Sequence, residues 1–421
     1  MNTAPRPPQP TLDRRAIVLM CVAAAILMIT MGSRQTLGLF IAPIIDSTHV
    51  GYAAMSFALA VGQLVWGAMQ PTFGALADRF GAFRVLLAGA LLLAAGSALT
   101  TFATNEFALI GTLGFLTAAG AGAGSLAVLI GVVSQRVPAG KRSLASGFVN
   151  AGGSLGQFVF GQLNQLLIST IGWVGALWTM AGTALGTIPL ARLLTRNPPP
   201  QPGTAAHAAG HGMLPTASAL TLREQLAIAA RDKSYWCLHA GFFTCGFHIA
   251  FLVTHLPGEV KLCSLSPSVA AASISIIGLA NVAGSLWAGW AGGVYRMKFL
   301  LFAMYFSRAA AIALFLAAPK TPFTFYLFAI VLGFTWLATV PPTAGIIGKL
   351  FGVRYLATLF GLATFTHQIG AFFGAWLGGI ALVRFGDYNW MWYADMALAL
   401  LAAFVNLPIR EAKLRSALTP A

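Results

Sequence analysis

Charge is what this 421-residue sequence has least of: 8% of its residues are charged, against about 25% in an average soluble domain. A soluble chain so poor in charge could not cover its own surface. Acids are scarcest, ten against 25 Lys and Arg, and the net charge of +15 would suggest nucleic acid in a soluble protein. Here the basic residues sit in short segments between apolar blocks, so membrane topology explains them and nucleic acid is excluded as a partner. Cysteine is sparse too. Cys21, Cys237 and Cys245 lie in apolar stretches and Cys263 in a connecting segment, giving neither a disulfide framework nor a zinc spacing. The run Gly120-Ala-Gly122-Ala-Gly124 lies within an apolar block with no strand before it, and reads as close helix packing. No phosphate-binding lysine motif is present, which argues against an ATP-driven pump. With no nucleophile–base pair and no metalloprotease helix, neither an enzyme nor a cofactor is expected.

What the chain has is length of apolar sequence, 58% hydrophobic residues gathered in blocks. A helix rising about 1.5 Å per residue needs roughly twenty apolar residues to cross a hydrocarbon core of about 30 Å. Such spans are read at 16–45, 52–76, 83–103, 106–135, 143–168, 172–194, 234–257, 268–292, 298–318, 323–348, 356–384 and 389–408. The first block follows a polar, Pro-rich start without a cleavage site and reads as a retained helix rather than a signal peptide. Twelve spans place both termini on one side. With that side inside, the outer loops hold only Lys261, Lys320 and Arg384, while Arg34 and Arg308 fall within spans. The rest of the 25 lie on the inner side, as the positive-inside rule requires of a cell inner membrane protein with cytoplasmic termini.

The predicted fold is therefore all-α, two six-helix bundles at 16–194 and 233–408, with cytoplasmic tails 1–15 and 409–421. Between the bundles, 195–232 is a linker opened by Pro198, Pro199 and Pro200 and rich in Ala, Gly, Pro and His. His207 and His211 in it read as linker rather than metal ligands. Thr221 and Glu224 have capping-box spacing and predict a short surface helix over 222–231. The halves echo each other: Gly74-Ala-Leu-Ala-Asp78-Arg79-Phe-Gly81 after span two stands where Gly289-Trp-Ala-Gly-Gly293-Val-Tyr-Arg296 follows span eight. Likewise, Arg142-Ser-Leu-Ala-Ser answers Arg354-Tyr-Leu-Ala-Thr. Repeats with a path between them point to a transporter.

The segment from Gly74 to Arg84 resembles the loop motif of the major facilitator superfamily, and the twelve-span pattern extends that resemblance over nearly the whole chain. It implies a twelve-helix fold with a cytoplasmic gate at Gly74, Asp78, Arg79, Gly81 and Arg84, where a carboxylate near helix N-termini is favoured. A narrower resemblance is to the monocarboxylate-porter and oxalate–formate-exchanger branch. It rests on Met31-Gly-Ser-Arg34-Gln35-Thr-Leu-Gly38-Leu-Phe40, on Cys245-Gly-Phe-His248 through His255-Leu-Pro257, and on His367-Gln368-Ile-Gly370. That branch carries an acid and an arginine four residues apart in span eight. Asn281 and Ser285 stand at those positions here, so the branch's usual anion-binding and proton-linked charges are missing.

Arg34 is the expected substrate contact, because an arginine inside a span is costly unless it faces a cavity or partner, and its fork fits a carboxylate. Gln35, Gln63, Asn150, Gln157, His248, Asn281, Ser285, His367 and Gln368 are expected along the path, the two histidines also as carriers of a coupling proton. Trp66, Phe247, Phe251 and Trp336 supply candidate apolar walls. Arg308 and Asp395, in helices that the resemblance packs together, are expected to form a structural ion pair. These residues suggest secondary active transport of a small organic anion, a mono- or dicarboxylate, by alternating access. Two rivals stand beside it: a multidrug or metabolite efflux antiporter, and a non-transporting membrane sensor. The first normally has a Gly-Pro pair in span five, where this chain has Gly156-Gln157.

Overall fold

In a computed structural model, residues 13–134, 136–137, 142–196, 221–352 and 355–411 are described, apart from the side chains of 78, 134, 142–144 and 357. Residues 1–12 and 412–421 of the expected tails, most of the linker with His207 and His211, Lys141 and Arg354 lie outside them. The described residues form helices and no strand. The first half holds α1 (Arg14–Gln35), a 3-10 turn (Leu37–Phe40), α2 (Ile41–Thr48), α3 (Tyr52–Phe80) and α4 (Ala82–Thr100). It continues with α5 (Glu106–Leu109), a π-helical stretch (Ile110–Thr117), α6 (Ala118–Ala123), α7 (Leu126–Ser134), α8 (Arg142–Leu185) and α9 (Thr187–Thr195). The short α10 (Leu222–Arg231) follows, with Thr221 and Glu224 completing both arms of a capping box. The second half holds α11 (Lys233–Leu262), α12 (Pro267–Val294), α13 (Met297–Ala317), α14 (Pro322–Thr335), α15 (Val340–Phe351), α16 (Leu356–Phe385) and α17 (Asn389–Asn406).

Among the described residues, ten helical segments are long and apolar enough to cross a membrane. The longest, Ala145–Thr195, has 51 residues, roughly 76 Å if straight and more than twice a hydrocarbon core. It bends at Gly172 (φ 72°, ψ 170°), a conformation that side chains avoid. The sequence places the boundary between its fifth and sixth spans at the same point.

Three spans expected to be continuous are broken, each at residues engaged by a tertiary contact. Span one breaks at Thr36. Its hydroxyl donates to the Gly32 carbonyl (2.8 Å) and accepts from Asn164 Nδ2 of α8 (2.7 Å). Span four passes through the π-helical stretch and a break at Gly124, whose carbonyl accepts from Thr30 of α1 (3.0 Å). Span ten breaks between Thr335 and Val340. There the buried Arg308 donates to the Thr335 and Trp336 carbonyls (2.5 and 3.1 Å), and proline in the first turn starts α15 without needing an N–H.

The halves meet along two seams, α3 on α16 and α8 on α12, and where the 3-10 turn abuts α11. Contacts between them concentrate toward the end of the molecule that carries Tyr52. Phe57 packs on Phe372 and Trp376, Gly379 lies against Ser56, and a Cβ at Gly38 would collide with the Val253 carbonyl. On the other seam Ser275 donates to the Phe158 carbonyl (2.9 Å) and Asn281 to Ser154 (2.8 Å). None of these contacts lies on the last two turns of α3 before the turn at Gly81 (φ 89°), which marks the opposite end. The bundles converge at the Tyr52 end and part toward the Gly81 end.

Candidate functional site

Arg34 stands in the last turn of α1, just before the break at Thr36. The break turns the chain into the 3-10 segment, so the guanidinium sits beside α3 instead of continuing up an apolar helix. There it donates to Gln63 Oε1 and lies over the Trp66 ring, 4.0 Å from its centre. Gln63 and Trp66 are three residues apart and so share a face of α3. A charged hydrogen bond contributes about 1.5–3 kcal/mol and a partly desolvated cation–π contact about 0.5–2 kcal/mol. Together they are of the size needed to offset an arginine's burial in a span, about 2.5–3.5 kcal/mol on insertion scales.

A small cavity of about 20 Å³ opens beside this group, lined by Arg34, Gln63 and Thr117 together with Leu59, Leu113, Val253 and Thr254. Val253 and Thr254 come from α11, so both halves wall it. Thr117 closes the π-helical stretch, its hydroxyl bound to the Thr112 carbonyl five residues back (2.9 Å). Such π segments recur at functional sites. The arrangement offers one fixed positive charge, hydrogen-bonding groups and apolar walls. In this state the space is about that of one water molecule.

The other expected path residues divide. Gln368 of α16 crosses the seam to lie against Gly67, one helical turn from Gln63, with Oε1 buried and without a hydrogen-bond partner among the described residues. Its Nε2 meets Nδ1 of the half-buried His367 at 3.1 Å. Gln157 is buried against Gly278 on the other seam, both ends of its amide without a partner among the described residues. Gln35 is buried with Oε1 unpartnered among the described residues, and Asn150 is half-buried on α8. Asn281 is engaged in packing: it donates to Ser154, and its oxygen accepts from Leu337 N (3.0 Å) and from Ser285 Oγ (3.2 Å). Asn281 and Ser285 thus stitch α12 to α8 and to the break before α15.

The expected Arg308–Asp395 ion pair does not form. Both are fully buried in the second half, but Asp395 Oδ2 meets His248 Nδ1 at 2.5 Å, while Arg308 binds the freed carbonyls and Cys245 Sγ (3.5 Å). Broken-helix carbonyls are strong acceptors that hydropathy does not reveal, and they claim the guanidinium first. His248 is consequently turned into the second bundle and is not among the lining of the Arg34 cavity. At the Gly81 end Arg79 lies 5.1 Å over the Phe80 ring and Arg84 is exposed, while the Asp78 side chain is outside the described residues. From sequence alone, Trp66 is only a candidate wall. Its spacing from Gln63, opposite an intramembrane arginine, is the signal that marks it as Arg34's partner.

Comparison with known proteins agrees with this architecture. The family profile described as Major Facilitator Superfamily matches residues 23–307. Monocarboxylate transporter 13 of Rattus norvegicus is 26% identical over 377 residues, covering 86% of this chain and 81% of that one. The oxalate:formate antiporter of Oxalobacter formigenes is 25% identical over 394 residues, covering 93% and 88%. An uncharacterized transporter of the same superfamily from Bacillus subtilis is 20% identical over 359 residues.

Proposed function

The chain belongs to the Major Facilitator Superfamily and is a multi-pass membrane protein, and from that premise we propose that it is a secondary active transporter of a small organic anion, a mono- or dicarboxylate. The observation that carries this reading is Arg34, held by Gln63 and Trp66 on a cavity walled by both halves. A carboxylate there would take the guanidinium donors that Gln63 leaves free. The names of the relatives, a monocarboxylate transporter and an oxalate:formate antiporter, agree with such a cargo.

On this reading the chain crosses the inner membrane twelve times, as bundles 16–194 and 233–408 with cytoplasmic termini. The segment bent at Gly172 supplies two passes and the 18-residue α17 one more. The Gly81 end is then cytoplasmic, and the arrangement described above is the inward-facing one. Opening would rock the bundles about the Arg34 level, with Gln157 and Gln368 as further path residues and the Gly74–Arg84 segment as the gate that closes the cytoplasmic end. The solute passes unchanged. In proteoliposomes loaded with lactate, pyruvate, formate or oxalate, counterflow of at least one labelled carboxylate is expected and Arg34→Gln removes it. Counterflow only of lipophilic cations would establish the efflux rival instead.

A further inference from the structure

The converged end is fastened by a chain of hydrogen bonds that crosses between the halves. Tyr52, at the start of α3, contributes the first-half member. Its hydroxyl meets Tyr388 Oη at 2.7 Å and His255 Nδ1 of α11 at 3.2 Å. His255 Nε2 meets the Ala375 carbonyl of α16 at 2.7 Å. A carbonyl only accepts, so Nε2 carries the ring hydrogen and Nδ1 is the acceptor. Every direction follows: Tyr388 donates to Tyr52, Tyr52 to His255, and His255 to Ala375. The rings are packed in place, His255 5.9 Å from Tyr52 and 5.4 Å from Tyr388 between centres. Backbone closeness makes the contact possible. A Cβ at Gly258 would lie against both tyrosine hydroxyls, and one at Gly378 would collide with the His255 ring.

We propose that Tyr52, His255 and Tyr388 form a proton-releasable latch, with His255 Nδ1 a proton site that is filled only when the Tyr52 end is open. Closed, Nδ1 is taken by Tyr52 and the imidazole is 1% exposed. A proton on Nδ1 removes the acceptor and places a full charge among aromatic rings, where no carboxylate is bonded to it. Asp46 and His49 at the end of α2 and Lys261 of α11 are exposed to solution, and the other ionisable groups near this end are engaged elsewhere. Glu259, one turn along α11, accepts from Trp392 Nε1 (3.2 Å), and Asp387 accepts from Asn389 (3.0 Å). Lys320 donates to the Phe315 carbonyl (2.5 Å) and Arg384 lies over Phe385. The 3-10 turn and α12 bring no ionisable side chain. Opening would expose Nδ1 to the solution on that side. The proton comes from that solution and returns to it before the latch can close.

This inference rests on the alternating-access reading, and its test separates the two. Nitroxide labels at Ser47→Cys and Lys261→Cys, in a chain carrying Cys21→Ser, Cys237→Ser and Cys263→Ser, report the spread of the Tyr52 end by pulsed dipolar spectroscopy. Between pH 7.5 and 5.5 the open fraction should rise, by no more than about tenfold per pH unit for one proton. His255→Gln should abolish that dependence, and Tyr52→Phe should raise the open fraction at pH 7.5. An open fraction that is insensitive to pH, or equally sensitive in His255→Gln, overturns the latch and leaves alternating access standing. A Tyr52 end that stays closed at every pH, in both variants and with substrate, overturns both.

Discussion

At the residue scale, the intramembrane charges are held in different ways. Arg34 stays half-buried at a cavity, with one hydrogen bond to Gln63 and a ring beneath it. Arg308 is fully buried, gives its terminal nitrogens to Cys245 Sγ and to backbone carbonyls, and leaves Nε without a partner among the described residues. Of the two, Arg34 is the one that lines the cavity. Trp66→Leu keeps Gln63 but removes the ring, a loss of about 0.5–2 kcal/mol. It should weaken carboxylate binding roughly two- to thirtyfold in isothermal titration, with a loss of folding stability no larger than that one contact. Asp395 belongs to the other class. Asp395→Ala strands His248 and takes a negative charge from the bundle that holds Arg308, at a cost of about 3–5 kcal/mol. A clear fall in the unfolding temperature in detergent is expected. An unchanged transition would mean that the His248–Asp395 contact carries little of the fold.

At the element scale, helix ends and hydropathic spans were legible in the sequence because apolar length and turn residues act locally. The break at Gly172, the start of α3 at Tyr52 and the cap at Thr221 all follow from the residues at those positions. The breaks at Thr36 and after Thr335 were not legible. Each depends on a distant partner, Asn164 in one case and Arg308 in the other, and hydropathy averages over them. The same holds for the candidate site. Arg34 stands out because it is a charge in an apolar span, whereas its contacts with α3 arise only once the chain bends. His255 stood out only by resemblance, since its partners lie in α3, in α16 and before α17.

The second half shows an element tie that sequence alone left out. Glu411 accepts from Met297 N and Lys298 N at the start of α13 (3.1 Å each) and from Lys349 Nζ of α15 (2.7 Å). Burial pushes its carboxyl up, but the Lys349 and backbone hydrogen bonds outweigh this and hold it below the ordinary carboxylate range. A depressed folded value gives stability that is present above the unfolded value of about 4.3 and lost as pH falls through the folded one. Glu411→Gln should therefore lower the unfolding temperature at pH 7, with the gap to the parent closing as pH falls below about 4.3. A gap independent of pH would assign the loss to packing.

At the scale of the whole molecule, the two halves converge at one end and part at the other, with Arg34 where walls from both meet. A cation fixed between two bundles is placed to be reached from either side in turn. On the proposed reading its single charge would take one carboxylate group, while Asn281 and Ser285 hydrogen-bond within the fold. The most direct measurement is thermal unfolding of the purified protein with a panel of lactate, pyruvate, formate, oxalate, aromatic carboxylates, sugars and lipophilic cations, run in parallel on Arg34→Gln. A ligand at about a hundred times its dissociation constant stabilises the folded state by roughly 2.7 kcal/mol. Stabilisation by a carboxylate in the parent, absent in Arg34→Gln, is the predicted result. Stabilisation by lipophilic cations alone, or by a carboxylate equally in both proteins, would contradict the role given to Arg34.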